Sequence, residues 1–217
     1  MAFKYKRVLL KISGEALKAE DDIYDKNKIR NVAKQVIEAT KEGMQIGLVI
    51  GDYMGMMATI MNALAFEATI RKLGYEKVIV YSSLEIDTVT SDYNYRFARE
   101  KLDEGYIVIF AGGTGFSYFT TDTGAAIRAI EIEADALLMA KNGTKGVYDC
   151  DPNANKDAKF LTDLTHEDLI VKNLQVMDST AATLARDGKL KIVVFDMNGK
   201  DHIKKIMHQE IDATYIK

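Results

Sequence analysis

Two short clusters in this 217-residue sequence carry residue types suited to handling phosphate. The first is Lys11-Ile12-Ser13-Gly14, which closes the apolar run Val8-Leu9-Leu10. A strand covered on both faces has no structural use for a lysine, because burying an unpaired ammonium is costly. Lys11 is useful where its head emerges at the strand's carboxyl end, the edge at which open α/β sheets bind ligands. Gly14 lets the backbone come close to a ligand, and its N–H can bind an anion. The plain alternative is a strand-end lysine reaching into water beside an ordinary turn. The second cluster is Gly112-Gly113-Thr114-Gly115, followed by Phe116, Ser117, Tyr118, Phe119, Thr120, Thr121 and Asp122. A buried run opens into glycines there, and hydroxyls and an acid gather where a helix begins. Free N–H groups at a helix start bind phosphate, whereas Thr121 or Asp122 would otherwise serve only as a cap. Two glycine-bearing loops, a fixed cation and several loop acids suit phosphoryl transfer, which needs positioning and charge neutralisation more than a covalent nucleophile.

Other chemistries fare worse. The acidic loop from Asp149 to Asp157 has Ala154 where a calcium loop needs glycine and Phe160 where it needs a bidentate glutamate. Three histidines and one cysteine make a zinc site a poor expectation, and His166, His202 and His208 fall on polar helical stretches where they should be solvated. The sequence contains neither a P-loop nor a hydrolase elbow. Gly113-x-Gly115 has Tyr118 in place of the third glycine of a dinucleotide fingerprint.

The elements that must position these clusters alternate along the chain. Strand-like runs occur at Gln45–Ile50, Lys77–Tyr81, Tyr106–Ala111, Ala136–Ala140 and Lys191–Phe195. Helical periodicity spans Asn27 to Glu42, Asp52 to Leu73, Ser91 to Glu104 and Asp122 to Glu133, with later helices from Thr165, Asp178 and Asp201. Thr165 and Asp168 imitate a capping box. The Met- and Ala-rich helix after Asp52 reads as packed on nearly every side, as a core helix or a subunit contact. Strands spaced by such helices imply parallel crossovers and a mostly parallel sheet covered on both faces, in one domain over residues 1–217. A net charge of −3 with dispersed lysines gives no nucleic-acid footprint. A single cysteine (Cys150), no membrane-length apolar run and no leader-like start lead us to expect a cytoplasmic protein.

Val8 to Leu17, Asp52-Tyr53-Met54-Gly55-Met56, Phe119 to Thr123, Gly146-Val147-Tyr148 with Asp151-Pro152, and Val176-Met177-Asp178 occur in this order. Together they closely resemble the uridylate-kinase branch of the amino-acid-kinase family over nearly the whole chain. The resemblance implies a three-layer α/β/α sandwich, transfer of the ATP γ-phosphoryl group to UMP in pyrimidine nucleotide biosynthesis, and a homohexamer with GTP and UTP as effectors. Magnesium (Mg2+) would be held through the ATP phosphates, without direct protein ligands. By position, Lys11, Ile12, Ser13 and Gly14 would meet the ATP phosphates, and Asn142, Tyr148 and Asp151 its nucleoside. Gly51 and Asp52, with Thr114, Gly115, Phe116, Ser117, Tyr118, Phe119, Thr120 and Thr121, would form the UMP site. Asp122 and Asp178 would stand near the reacting phosphates, either of them orienting Lys11 or the hydrated metal, while Lys11 stabilises the developing charge.

Three departures stand out. The family's second strand ends in a Gly-Gly-Gly-Asn loop with a downstream arginine, whereas here Gly51 joins Asp52 directly. As written, the chain therefore lacks one wall of the site, and an intact mass of 24.2 kDa is the value that tests whether that segment is absent from the protein. Phe116-Ser117-Tyr118 stands in for Asn-Pro-Phe, and Gly143-Thr144-Lys145 places a cation near the ATP nucleoside. The alternatives are another small-molecule kinase of the same fold, or a nucleotide-binding regulator impaired by loss of the glycine loop.

Overall fold

Apolar runs become strands where helices can cover both of their faces. The computed structural model describes residues 4–17, 25–52, 55–152, 154–172, 174 and 176–217. In chain order these form β1 (Arg7–Ile12), α1 (Gly14–Leu17), α2 (Lys26–Lys41), β2 (Gln45–Ile50), α3 (Met56–Lys72), β3 (Val78–Ser82), β4 (Ser91–Asp92) and α4 (Tyr95–Asp103). There follow β5 (Ile107–Ala111), α5 (Thr121–Glu131), β6 (Ala136–Lys141), β7 (Val147–Tyr148), β8 (Phe160–Leu161), β9 (Asp163–Leu164) and α6 (His166–Val171). The last elements are α7 (Ser179–Asp187), β10 (Lys191–Asp196), α8 (His202–Met207) and β11 (Thr214–Ile216).

Among the described residues one sheet runs in the order β4-β3-β5-β2-β1-β6-β10-β11-β9, and β7 and β8 form a separate antiparallel hairpin. Pairing in the large sheet is parallel except between β10 and β11. Alternation along each strand sends Val8, Leu10 and Leu48 to one face, where they meet Val36 of α2, Phe66 of α3 and Ile203 of α8. Leu9, Leu137 and Ile192 go to the other, against Leu102 of α4, Ala129 of α5, Leu169 of α6 and Ala185 of α7. Each fully buried aliphatic side chain in these layers contributes roughly 1.5–3 kcal/mol. The result is the expected three-layer α/β/α sandwich. From β1 the crossovers lead to β2 and β5 on one side and to β6 and β10 on the other. The carboxyl ends of β1 and β6 thus flank the switch point where sheets of this kind bind ligands.

Several expectations are corrected. The stretch from Ser91 is not all helix: Ser91–Asp92 pairs with β3, and the helix starts after Asn94, whose side chain accepts from the Arg96 N–H. The helix expected from Asp52 begins at Met56 after Gly55 at φ 97°; Tyr53 and Met54 lie outside the described residues. It is not enclosed on all sides, because Met57 and Met61 are 59% and 54% exposed. His166 is buried rather than solvated, its Nε2 2.8 Å from the Leu190 carbonyl oxygen, because the first turn of α6 faces the strand-leading loop. The capping box of Thr165 and Asp168 forms as its spacing predicts. No described helix is long and apolar enough to cross a membrane.

Candidate active site

Lys11 rises from the last turn of the pleat in β1 and meets Asp122 in the first turn of α5, Nζ to Oδ1 at 3.0 Å. Their side chains keep only 12% and 18% of their exposure. Ser13 and Gly14 follow at once, and Gly14 packs so tightly on the β2 end that a Cβ there would collide with the Gly51 carbonyl oxygen. Only glycine allows the turn after β1 to lie this close to the β2–α3 junction.

A cavity of about 450 Å³ opens beside this pair. Its floor is Lys11, Ser13, Gly14, Gly51 and Asp52; its walls are Met56 and Thr59 of α3 and the loop residues Gly113, Thr114, Phe116, Phe119, Thr120, Thr121 and Asp122. The walls are fixed by hydrogen bonds. Asn62 donates through Nδ2 to the Gly51 carbonyl at 3.2 Å and to Asp52 Oδ2 at 3.0 Å. Thr59 Oγ1 accepts from the Gly112 N–H at 2.9 Å. Ser83 Oγ donates to the Gly113 carbonyl at 2.9 Å and itself accepts from Arg128 at 2.7 Å. Arg128 is buried, pairs with Glu131 at 2.6 Å and lies 3.7 Å from the centre of the Tyr93 ring. Gly112, Gly113 and Gly115 adopt φ between 59° and 81°, so the glycines let this loop turn back over α3.

A second cavity of about 580 Å³ lies beyond β6, lined by Lys141, Tyr148, Asp149, Asp151, Leu174, Val176 and Val194 among others. The β7–β8 hairpin supplies its rim, with the Tyr148 and Phe160 rings 5.5 Å apart. Lys141, at the end of β6, donates to the Val176 carbonyl at 2.7 Å. Burial pushes its pKa down, Asp122 acts against that shift, and the charge of Lys11 adds to it. Lys11 and Asp122 thus line the first cavity and Lys141 the second, and both members of the pair act electrostatically on Lys141.

The residues singled out in the sequence divide as follows. Lys11, Ser13, Gly14, Gly51, Asp52, Thr114, Phe116, Phe119, Thr120, Thr121 and Asp122 share the first cavity, and Tyr148 and Asp151 line the second. Ile12 points into the core on the opposite face of the sheet. Gly115, Ser117 and Tyr118 belong to the same loop but lie outside the lining, with Tyr118 fully exposed at φ 69°. Asn142 lies outside the lining of both cavities and accepts from Asn198 at 2.6 Å. Asp178 lines neither cavity: it caps α7, accepting from the Ala181 N–H at 2.9 Å, and also accepts from the hydroxyls of Thr120 and Thr123. Of the two aspartates it is therefore Asp122 that holds Lys11. Asn62, Ser83, Arg128 and Lys141 escaped the sequence reading. For Lys141 the signal was present, since an apolar strand run ending in lysine repeats the pattern of Lys11. Among the described residues no three histidines, cysteines or acids converge as a metal-ligand set.

Known proteins resemble this chain in sequence and in fold. Residues 52–196 match the amino acid kinase family. Uridylate kinase of Mesoplasma florum is 56% identical, with both chains fully covered. That alignment runs over 237 positions against 217 residues here, a difference of 20 positions without a counterpart in this chain. Crystal structures of UMP kinase from Ureaplasma parvum (TM-score 0.93, 34% identity, 99% of both chains) and Bacillus anthracis (TM-score 0.94, 33% identity, 98% of this chain and 96% of the other) superpose closely. With the sheet and these similarities in agreement, the chain belongs to the amino acid kinase family.

Proposed function

We propose that the chain transfers the γ-phosphoryl group of ATP to UMP, giving UDP and ADP. The observation that carries this reading is the Lys11–Asp122 pair set at the switch point between two separate cavities. The cavity beyond β6, rimmed by Tyr148 and Asp151, suits ATP; the one walled by Asp52 and the 113–121 loop suits UMP. Full-length similarity to proteins named uridylate kinase supports this choice of acceptor.

In the reaction a phosphate oxygen of UMP forms a bond to the γ-phosphorus. The bond to the β,γ-bridging oxygen breaks, and its electron pair stays on ADP. The nucleophile is already anionic, so no side chain needs to remove a proton. Lys11 stabilises charge on the transferred group, and Asp122 keeps its ammonium in place. The Ser13–Gly14 turn offers backbone donors to the phosphates. Asn62 holds Asp52 for the uridine end of UMP, and Arg128, through Ser83, fixes the Gly113 carbonyl and so the loop around the acceptor. Magnesium would arrive on the ATP phosphates and supply neutralisation of their charge, and Asp122 would be the carboxylate to orient its hydrated form.

The whole chain would act as one unit in the cytoplasm, supplying UDP to pyrimidine nucleotide synthesis. The exposed Met57 and Met61 on one face of α3 support a contact with another copy of the chain; the homohexamer, with GTP and UTP as effectors, is what remains to test. A coupled assay for UDP, run on protein of verified mass, tests the proposal. UMP-dependent ADP release is the expected result; nucleotide binding without UDP would sink the reading.

A further inference from the structure

We infer that Lys141 is a second catalytic cation of this transfer, meeting the ATP polyphosphate from the donor side as Lys11 meets it from the acceptor side. The inference rests on the kinase reading above and goes beyond the roles carried by the sequence motifs.

Register places the two lysines. Lys11 of β1 pairs with Met139 of β6, and Lys141 lies two residues further along the same strand. Side chains two apart in a strand share a face, so Lys11, Met139 and Lys141 all point to the α5–α7 side. Lys141 thus stands one pleat beyond Lys11, on the adjacent strand, across the switch point. The two differ in their partners. Lys11 has its charge matched by Asp122 at 3.0 Å. Among the described residues Lys141 makes no ion pair, and it donates one hydrogen bond, to the Val176 carbonyl at 2.7 Å. An ammonium carries three donors, and withdrawing it from water without a counter-charge is unfavourable. Burial already pushes its pKa down, which is the mark of a charge short of compensation. The group lines a cavity large enough for a nucleotide, so an anion in that cavity supplies what the protein does not.

The chemistry fits the place. As the bond from the γ-phosphorus to the bridging oxygen breaks, negative charge grows on that oxygen and on the β-phosphate of the departing ADP. A cation on the donor wall stabilises this charge, while Lys11 serves the oxygens of the group in flight. Neither lysine gains or loses a proton.

Two full-length variants test the assignment, Lys141→Met and Lys141→Gln, the latter keeping a donor for the Val176 carbonyl. UDP formation is followed by coupled assay, and binding of MgATP and of adenosine by calorimetry. We expect kcat to fall about 10²-fold in both, with KM for UMP changed less than about threefold. MgATP affinity should fall about tenfold or more while adenosine affinity is kept. Turnover in Lys141→Gln within about threefold of the parent would overturn the assignment, since any loss in Lys141→Met would then come from the missing brace on Val176 rather than from the missing charge. Should the parent protein form no UDP, the choice of substrate fails, and calorimetry still decides on Lys141. Equal MgATP affinity in parent and Lys141→Gln overturns the role; a selective loss upholds it.

Discussion

Removing the Lys11 charge while keeping its length separates catalysis from packing. In Lys11→Met the Asp122 carboxylate loses an ammonium 3.0 Å away, with only 18% of its side chain exposed to water in compensation. At an effective dielectric constant of about 20, a pair at that distance attracts by roughly 5 kcal/mol before desolvation is counted. Breaking one side of a buried pair costs about 3–5 kcal/mol, and the residual exposure of both partners puts this one near about 3. For a domain of this size the melting temperature should fall by roughly 6–12 °C. Adding Asp122→Asn removes the orphaned charge, so the double variant should regain most of that loss. Activity follows another rule: a lost transition-state donor costs about 10²–10³-fold in kcat, and neutralising Asp122 restores none of it. Calorimetric melting and the UDP assay on the single and double variants read both effects. If Lys11→Met melted with the parent, or if UMP affinity collapsed while turnover survived, the role given to this pair would be wrong.

Three further outcomes follow from the geometry. Gly14→Ala forces a Cβ against the Gly51 carbonyl, so urea unfolding should show about 1–3 kcal/mol lost; an unchanged midpoint would deny the close approach. Arg128→Met removes the brace on Ser83 and the Gly113 carbonyl, raising KM for UMP about tenfold with a smaller change in kcat. Arg128→Lys should not rescue it, because a point charge cannot span Glu131 and Ser83 together; an unaltered KM in either variant contradicts the bracing role. The Lys172 ammonium, with the Thr165 N–H and hydroxyl, holds the Asp168 carboxyl down to about 2 from 3.8. A depressed carboxyl stabilises the fold above its unfolded value and loses that contribution as pH falls through its folded one. Asp168→Ala should therefore melt below the parent at pH near 6, with the gap closing between about pH 4 and 2. A gap that stayed constant with pH would assign the effect to something other than this charge.

The parallel core was legible because β1, β2, β5, β6 and β10 are near-continuous apolar runs, a pattern with few other uses. Lys11, Gly14 and Asp122 were legible because each breaks the logic of its element: a cation ending a buried run, a glycine at a strand exit, an acid at a helix start. Asn62 and Arg128 were not, since a polar residue on a helix reads as solvated until the fold brings Gly51 and Ser83 to it from 11 and 45 residues away. His166 failed for the same reason: its partner, Leu190, is 24 residues distant. Ser91–Asp92 reads as the start of a helix because two residues carry no strand periodicity; only the neighbouring edge of β3 makes them a strand. The aspartates at 122 and 178 look alike in sequence. One pairs with a lysine and the other caps a helix, a distinction made by tertiary contact alone.

The strand order has a consequence for how the molecule is made. β1 lies in the middle of the sheet, between β2 and β6, and its pairing with β6 joins Val8 to Ala136. A nascent chain therefore carries one uncovered edge of its central strand through more than half of its synthesis. β9 finds its partner at a later point of synthesis still, because the strand that links it to β10 spans Thr214–Ile216. Pairings of such high sequence separation form slowly, and an open apolar edge is a template for other chains meanwhile. Folding yield should thus fall steeply with chain concentration and temperature, and the first and last strands, rather than the catalytic loops, are where chaperone capture would act.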